Sequence, residues 1–396
     1  MSDGPGPEAT VRVGRALVQL TRRPGARTAD PSALLDQVPT DRLVTMAAYH
    51  RVPGVAYRSL VELGRDDPAF AGLRGSYQMA AIGHTRCLVD LATVVEAFTG
   101  LNRPWMVVKG PVLVERGYGD SGARLYEDLD LVVHPSELAV AMALIEEAGG
   151  SVSDVNWPLV TRLGRAEVPM ILAAGMPADL HWQLLVTPPI RSRFTISMDE
   201  LAERVQPIRA GGIEVPALDP VDELLYLTLH GSLSGGHQLV WLKDLEVMME
   251  HQDVDWDLVV DRARRWRADL VAAIQLDRAR TVLGALVPDQ IIETLAGGAP
   301  WWRWWRRSER RLGYLRWGGY DHTGRTFVAA TSATTSASVV QLARSMRVDV
   351  VRPAVADRRR RSARGVAEVV PELYRPVGGP EARVRYQRMA AATGWS

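Results

Sequence analysis

The sharpest pattern of apolar and polar positions lies between Trp105 and Val133, WMVVKGPVLVERGYGDSGARLYEDLDLVV. The apolar run Trp105 to Val108 reads as a buried strand. Lys109 and Gly110 end it, and Pro111 suits the first position of a helix running to about Arg116. A glycine-rich loop carrying Arg124 then leads into a second strand, Tyr126 to Val133. Side chains alternate along a strand, so Asp128 and Asp130 share one face while Leu129 and Leu131 take the other. Upstream, from Val11 to about Gly100, the periodicity is helical. Leu34, Leu35, Val38, Leu43, Val44 and Ala47 recur at helix spacing, and His84 to Phe98 form an amphipathic run ending at Gly100. His50 and His84 fit packing positions in those helices. Residues 1–10, with Gly4, Pro5, Gly6 and Pro7, read as a flexible tail.

Downstream, a helix is expected from Pro135 to Ala148, stopped by Gly149 and Gly150. Residues 151–166 carry no clear period. Glu167 to Ala173 and Ala178 to Leu185 read as two strands joined at Gly175-Met176-Pro177. Residues 211–219 collect Gly, Pro and Asp and read as a boundary. Asp219 then suits an N-cap and Pro220 the first position of a helix ending near His230-Gly231. A polar turn leads to a helix holding Trp241, Leu242, Lys243, Asp244 and Leu245, and an arginine-rich helix follows from Asp257 to about Leu286. Pro300 opens an amphipathic segment, residues 301–317, with Trp301, Trp302, Trp304 and Trp305 on one arc and Arg303, Arg306 and Arg307 on the other. Its Trp face either packs on the protein or meets a membrane surface or a partner. Residues 330–340 read as a linker and Arg358 to Arg361 as a solvated basic run. The plan is α+β: a helical cap over 11–100, a mixed-sheet core over 101–215, a helical lobe over 216–299 and a C-terminal extension over 300–396.

Composition narrows the chemistry. The net charge of +1 makes no case for a long nucleic-acid partner. A single cysteine, Cys87, rules out an internal disulfide and fits a reducing compartment. With neither a signal-like start nor an apolar run of about 18 residues, the expected location is the cytoplasm. Of 47 basic residues only Lys109 and Lys243 are lysine. Where lysine is otherwise replaced by arginine, a survivor marks a place for a compact ammonium.

Two carboxylates on one strand face, Asp128 and Asp130, repel each other unless a cation lies between them. Oxygen-only donors of this kind suit Mg²⁺, or Mn²⁺, with phosphate oxygens completing the shell. The turn after Val108 can offer backbone N–H groups to phosphate, with Lys109 as a point charge. Arg124 is a further phosphate-clamp candidate.

The Lys-Gly turn, the arginine loop and Asp-Leu-Asp-Leu together resemble the polymerase-beta-type nucleotidyltransferase superfamily, and more closely the bacterial group described as uncharacterised nucleotidyltransferase. The resemblance covers roughly residues 35 to 250. It implies a nucleotidyltransferase-type core in which Lys109 and Gly110 stand at the phosphate turn. It implies further that Asp128 and Asp130 hold metal and that Asp179 supplies the third catalytic carboxylate. His181, on the same face as Asp179, is a candidate for positioning phosphate or acceptor, or for a supporting role behind the ligands. By the same resemblance Lys243 reaches the triphosphate from the helical lobe. The superfamily's usual Gly-Ser is Lys-Gly here, and the gap from Gly110 to Asp128 is long. The implied activity is transfer of a nucleoside monophosphate from an NTP, ATP first among candidates, to a small-molecule or peptide acceptor. The alternatives are a nucleotide-binding scaffold with little catalysis and a single-strand nucleic-acid binder using tryptophan and arginine.

Overall fold

The computed structural model describes residues 7–65, 67–153, 155–234, 236, 238–297, 302, 306–307 and 372–393. Its centre is a seven-stranded mixed sheet: β1 (Trp105–Val108), β2 (Leu129–Val133), β3 (Ser151–Val152), β4 (Glu167–Ile171), β5 (Pro177–His181), β6 (Gln206–Ala210) and β7 (Ile213–Ala217). Their order across the sheet is β3-β4-β5-β2-β1-β7-β6. β1 runs antiparallel to β2, with Val108 opposite Asp130. β2 runs parallel to β5, with Asp130 opposite Asp179.

β2 begins three residues later than the alternation suggested, and the ladder explains why. Its β1 partner ends at Val108, because Lys109 turns away with φ of 58°. On the β5 side the register would next bring Pro177, which has no N–H to donate. Asp128 therefore lies just outside the strand. β4 and β5 form the expected hairpin about Gly175, whose φ of 85° suits glycine. Within residues 211–219, Gly211 and Gly212 turn the hairpin β6–β7, and β7 joins the sheet beside β1. Pro207 and Pro216 face each other there, two residues that argue against strands when read alone.

Helices lie on both faces of the sheet. Before β1 come α1 (Pro7–Thr21), α2 (Pro31–Leu35), α3 (Thr40–Tyr49), α4 (Pro53–Glu62) and the 27-residue α5 (Ala71–Ala97). The expected tail is thus already helical from Pro7; residues 1–6 lie outside the described residues. After β1 come α6 (Gly110–Leu113) and a π-turn, Val114–Tyr118, then α7 (Leu138–Glu147) and α8 (Trp157–Leu163). The short α9 (Pro188–Arg191) and α10 (Met198–Glu203) precede the lobe of α11 (Pro220–Leu233), α12 (Leu239–His251), α13 (Trp256–Arg265), α14 (Asp269–Leu283) and α15 (Asp289–Ala296). Asp219 caps α11 through the N–H groups of Val221 and Asp222. That helix runs past Gly231, because a Cβ there would come within 3.0 Å of the Trp241 Cβ and glycine lets α12 pack close. The single helix expected over 257–286 is broken at Arg267, whose φ is 57°.

Leu129, Leu131 and Val133 pack with α5 and α7, while Met106, Val108 and Val132 face the core shared by the N-terminal helices and the lobe. Asp130 sits between Leu129 and Leu131 on β2, so its side chain points toward the lobe side. Trp302 is buried in that core, with its indole N–H toward Glu293 (3.5 Å) and Arg306 stacked 5.3 Å above its ring. The other tryptophans of the expected Trp/Arg helix, the linker at 330–340 and the basic run at 358–361 lie outside the described residues. A C-terminal helix, Pro380–Thr393, docks against α7, α8 and the 3-10 turn Pro135–Glu137. Its buried Tyr386 hydroxyl accepts from Trp182 Nε1 (3.0 Å) and donates to the Arg165 carbonyl (2.7 Å), and Arg383 makes a two-pronged pair with Glu146. No described helix is long and apolar enough to cross a membrane.

Candidate active site

The Asp130–Asp179 register places two carboxylates side by side on neighbouring parallel strands, and His181 follows two residues along β5 on the same face. One ligand atom from each of Asp130, Asp179 and His181 falls within 4.8 Å of the other two. Asp130 is buried and doubly engaged: Lys109 Nζ lies 2.8 Å from Oδ2 and His181 Nε2 3.0 Å from Oδ1. Glu167, opposite His181 on β4, brings Oε2 to 3.9 Å from His181 Nδ1. These groups line a cavity of about 550 Å³ between the sheet and α11–α12. Asp128 stands at its exposed rim, with Tyr226, His230 and Trp241 on the helical side and Leu184, Leu185 and Ile190 on a third wall.

The ionisation of these groups follows from their crowding. Burial disfavours charge on Asp130, but Lys109 and the His181 hydrogen bond outweigh it and hold the carboxyl far below the usual range. Asp179 has no comparable cation. Burial, then Glu167, Asp130 and Asp128, push it up to about 6 against a partial offset from His181. Asp128 is raised by desolvation at the rim and by Asp130. The imidazole of His181 is disfavoured as a cation by burial yet raised overall by Asp130. His230 is driven well below its ordinary value by burial and by Lys109. Four carboxyls thus share a small volume. Two oxygen donors with an imidazole beside them fit a divalent cation of the Mg²⁺ or Mn²⁺ kind, the imidazole being the softer member of the set. The surplus negative charge of these crowded carboxyls, with Lys109 and His181 both turned to Asp130, supports this fit.

The backbone at Lys109 is unusual. Its φ of 58° and ψ of −140° fall in a region that side chains rarely adopt, and it caps α6 from there. Gly110 follows with φ of 36°; a Cβ on it would sit 3.5 Å from the Tyr126 ring.

Lys109, Asp128, Asp130, Asp179 and His181 therefore surround one cavity, with Gly110 at its turn. Two residues anticipated for phosphate do not join them. Arg124 is buried and grips Asp244 with two hydrogen bonds of 2.8 and 2.9 Å, and Tyr118 donates to the same carboxylate at 2.8 Å. Lys243 is buried one helical turn from Glu246, with Nζ 2.6 Å from Oε2. Neither lines the cavity. Glu167, Arg51 and Arg165 do line it and were not singled out in the sequence. For Glu167 a signal existed: a hairpin about Gly175 brings it opposite His181.

No curated protein matches the chain. A solution structure of the antibiotic-resistance factor ANT(2″)-Ia is similar to it at 14% identity, covering 58% of this chain and 98% of that one with a TM-score of 0.29. The uncharacterised nucleotidyltransferase family matches residues 36–284, a span that takes in β1, the acidic strands, the cavity and the lobe as far as α14. The chain belongs to the uncharacterised nucleotidyltransferase family.

Proposed function

We propose that this chain transfers a nucleoside monophosphate from an NTP, with ATP the first candidate, to a hydroxyl or phosphate oxygen of a small-molecule or peptide acceptor. The observation that carries the reading is the in-register pair Asp130 and Asp179, with His181 and Lys109 beside it, at the floor of one cavity. Asp130 and Asp179 would hold Mg²⁺ or Mn²⁺, with Asp128 and His181 completing the donor set. Such an ion supplies charge neutralisation on the phosphates and lowers the pKa of a bound oxygen.

The acceptor oxygen forms a bond to the α-phosphorus as the α–β P–O bond breaks, and pyrophosphate leaves with that electron pair. The acceptor's proton passes to Asp179, whose carboxylate, unlike that of Asp130, is not engaged by Lys109. Lys109 balances charge on the phosphates from its turn. The apolar wall at Leu184, Leu185 and Ile190 gives the acceptor side a dry face. A near-neutral chain favours a compact acceptor over a long nucleic acid. An NTP-consuming enzyme whose one cysteine is a buried free thiol is at home in the cytoplasm.

The direct test measures pyrophosphate release from each NTP, with Mg²⁺ or Mn²⁺ and a panel of acceptors. Metal-dependent release that disappears in Asp179→Asn is the expected result. Release that persists unchanged in that variant would overturn the assignment.

A further inference from the structure

Three non-glycine residues among the described ones have a φ in the left-handed region: Arg51 at 56°, Lys109 at 58° and Arg267 at 57°. Two of the three line the same cavity. Such conformations cost free energy and collect where a site demands a particular side chain. Arg51 follows the C-terminal cap of α3, a place where glycine is the relaxed choice. Its turn is nonetheless fixed from two sides. Within it, Arg51 N donates to the Ala48 carbonyl and Val52 N to that of Ala47, both at 3.0 Å. From the lobe, Gln238 Nε2 donates to the Tyr49 carbonyl (2.8 Å) and Val240 N to that of His50 (3.2 Å). The strained backbone is held, and the guanidinium reaches the cavity rim.

The cavity's cations differ in how firmly they are committed. Lys109 is engaged by buried Asp130 at 2.8 Å. Arg165 pairs with Glu167, a carboxylate only 11% exposed. Arg51 meets Glu127 at 3.3 Å, and the two side chains are 38% and 74% exposed. Water screens an open pair of this kind, so it exchanges partners readily. A polyanion can thus recruit Arg51 with the least disruption, and a guanidinium offers phosphate two parallel N–H donors. Next to Glu127 stands Asp128, so a phosphate that reaches Arg51 is already at the acidic cluster.

We infer that Arg51, carried by the N-terminal helices, is a triphosphate-binding residue: it leaves Glu127 and takes the β- or γ-phosphate of the NTP at the cavity rim. The inference rests on the nucleotidyl-transfer reading above. It makes the helical layer before β1 a working part of the active site.

The test measures binding of each NTP, of a nucleoside and of inorganic tripolyphosphate, with Mg²⁺ present, to the full chain and to Arg51→Gly, Arg51→Lys and Glu127→Gln. Glycine relaxes the backbone, so Arg51→Gly should keep or raise the Tm. Its affinity for NTP and tripolyphosphate should nevertheless fall roughly tenfold to a hundredfold, the size of one charge-assisted contact. Nucleoside affinity should not move. Arg51→Lys should recover part of the loss. Glu127→Gln, which releases Arg51, should tighten NTP binding by roughly two- to fivefold. If folded Arg51→Gly binds NTP and tripolyphosphate as tightly as the unaltered chain, the inference is overturned and nucleotidyl transfer stands. If the unaltered chain binds neither, the reading beneath falls and takes this one with it.

Discussion

Two ionic clusters lie within a few residues of each other in sequence and behave in opposite ways. Around α12 the buried charges are paired: Asp244 is held by Arg124 and Tyr118, Lys243 by Glu246, and Arg116 by Glu223 at 2.8 Å. Across the cavity, Asp128, Asp130, Glu167 and Asp179 crowd together, and Lys109 and His181 both converge on Asp130. The first cluster is balanced, each cation matched to a carboxylate, and the second is short of positive charge. A matched buried cluster mainly fixes how elements sit against each other. One with surplus charge stores an affinity for whatever completes it, which is why the same residue types mean structure in one place and a site in the other.

The largest expected effect breaks the balanced cluster. Asp244→Ala leaves Arg124 buried without its carboxylate and should cost about 3–5 kcal/mol of stability in denaturant unfolding. NTP affinity of the folded protein should be retained, because Arg124 does not line the cavity. Loss of binding at full stability would show that the two clusters act as one.

The next effect has the opposite sign on stability. Asp179→Asn removes one of the crowded charges and should raise stability at pH 7 by roughly 2 kcal/mol while abolishing transfer. In the unaltered chain Asp179 has a folded pKa of about 6, above its unfolded value. Its contribution is therefore fully present below about pH 4 and is lost as pH rises through about 6. A pH series of unfolding curves should show that slope in the unaltered chain and lack it in Asp179→Asn. Mg²⁺ or Mn²⁺ should raise the Tm of the former at pH 7 and have less effect on the latter.

The smallest effect separates the two lysines. Lys109→Arg should lower transfer strongly, since a larger planar group must fit a turn with φ of 58° beside Asp130. Lys243→Arg should leave NTP affinity unchanged and cost about 1–3 kcal/mol of stability by overpacking beside Glu246. Assays of NTP affinity and unfolding on both variants decide it. Equal effects on NTP affinity would erase the distinction between the clusters.

That contrast also marks what was legible in the sequence. The apolar run of β1, the Asp-x-Asp spacing, the hairpin about Gly175 and the Asp219 cap are written in local chemistry, whereas the choice of Asp179 as partner to Asp130 came from the family resemblance. The state of a charge is not local. Arg124 and Asp244 lie 120 residues apart, so nothing beside Arg124 announces that it is already taken. The rarity of lysine pointed to both Lys109 and Lys243, yet one lines the cavity and the other is paired inside a helix. The hairpin β6–β7 was hidden by Pro207 and Pro216, and the break at Arg267 by the absence of any glycine or proline there.

The contact between Trp182 and Tyr386 has a consequence for the order in which the molecule comes together. The two residues are separated by 204 positions, so synthesis delivers the strand bearing Asp179 long before the helix that covers it. Until Tyr386 emerges, the Trp182 indole N–H and the Arg165 carbonyl lack the hydroxyl that joins them, and α8 lacks the helix that packs on it. The strand at the centre of the site is made early and finished late.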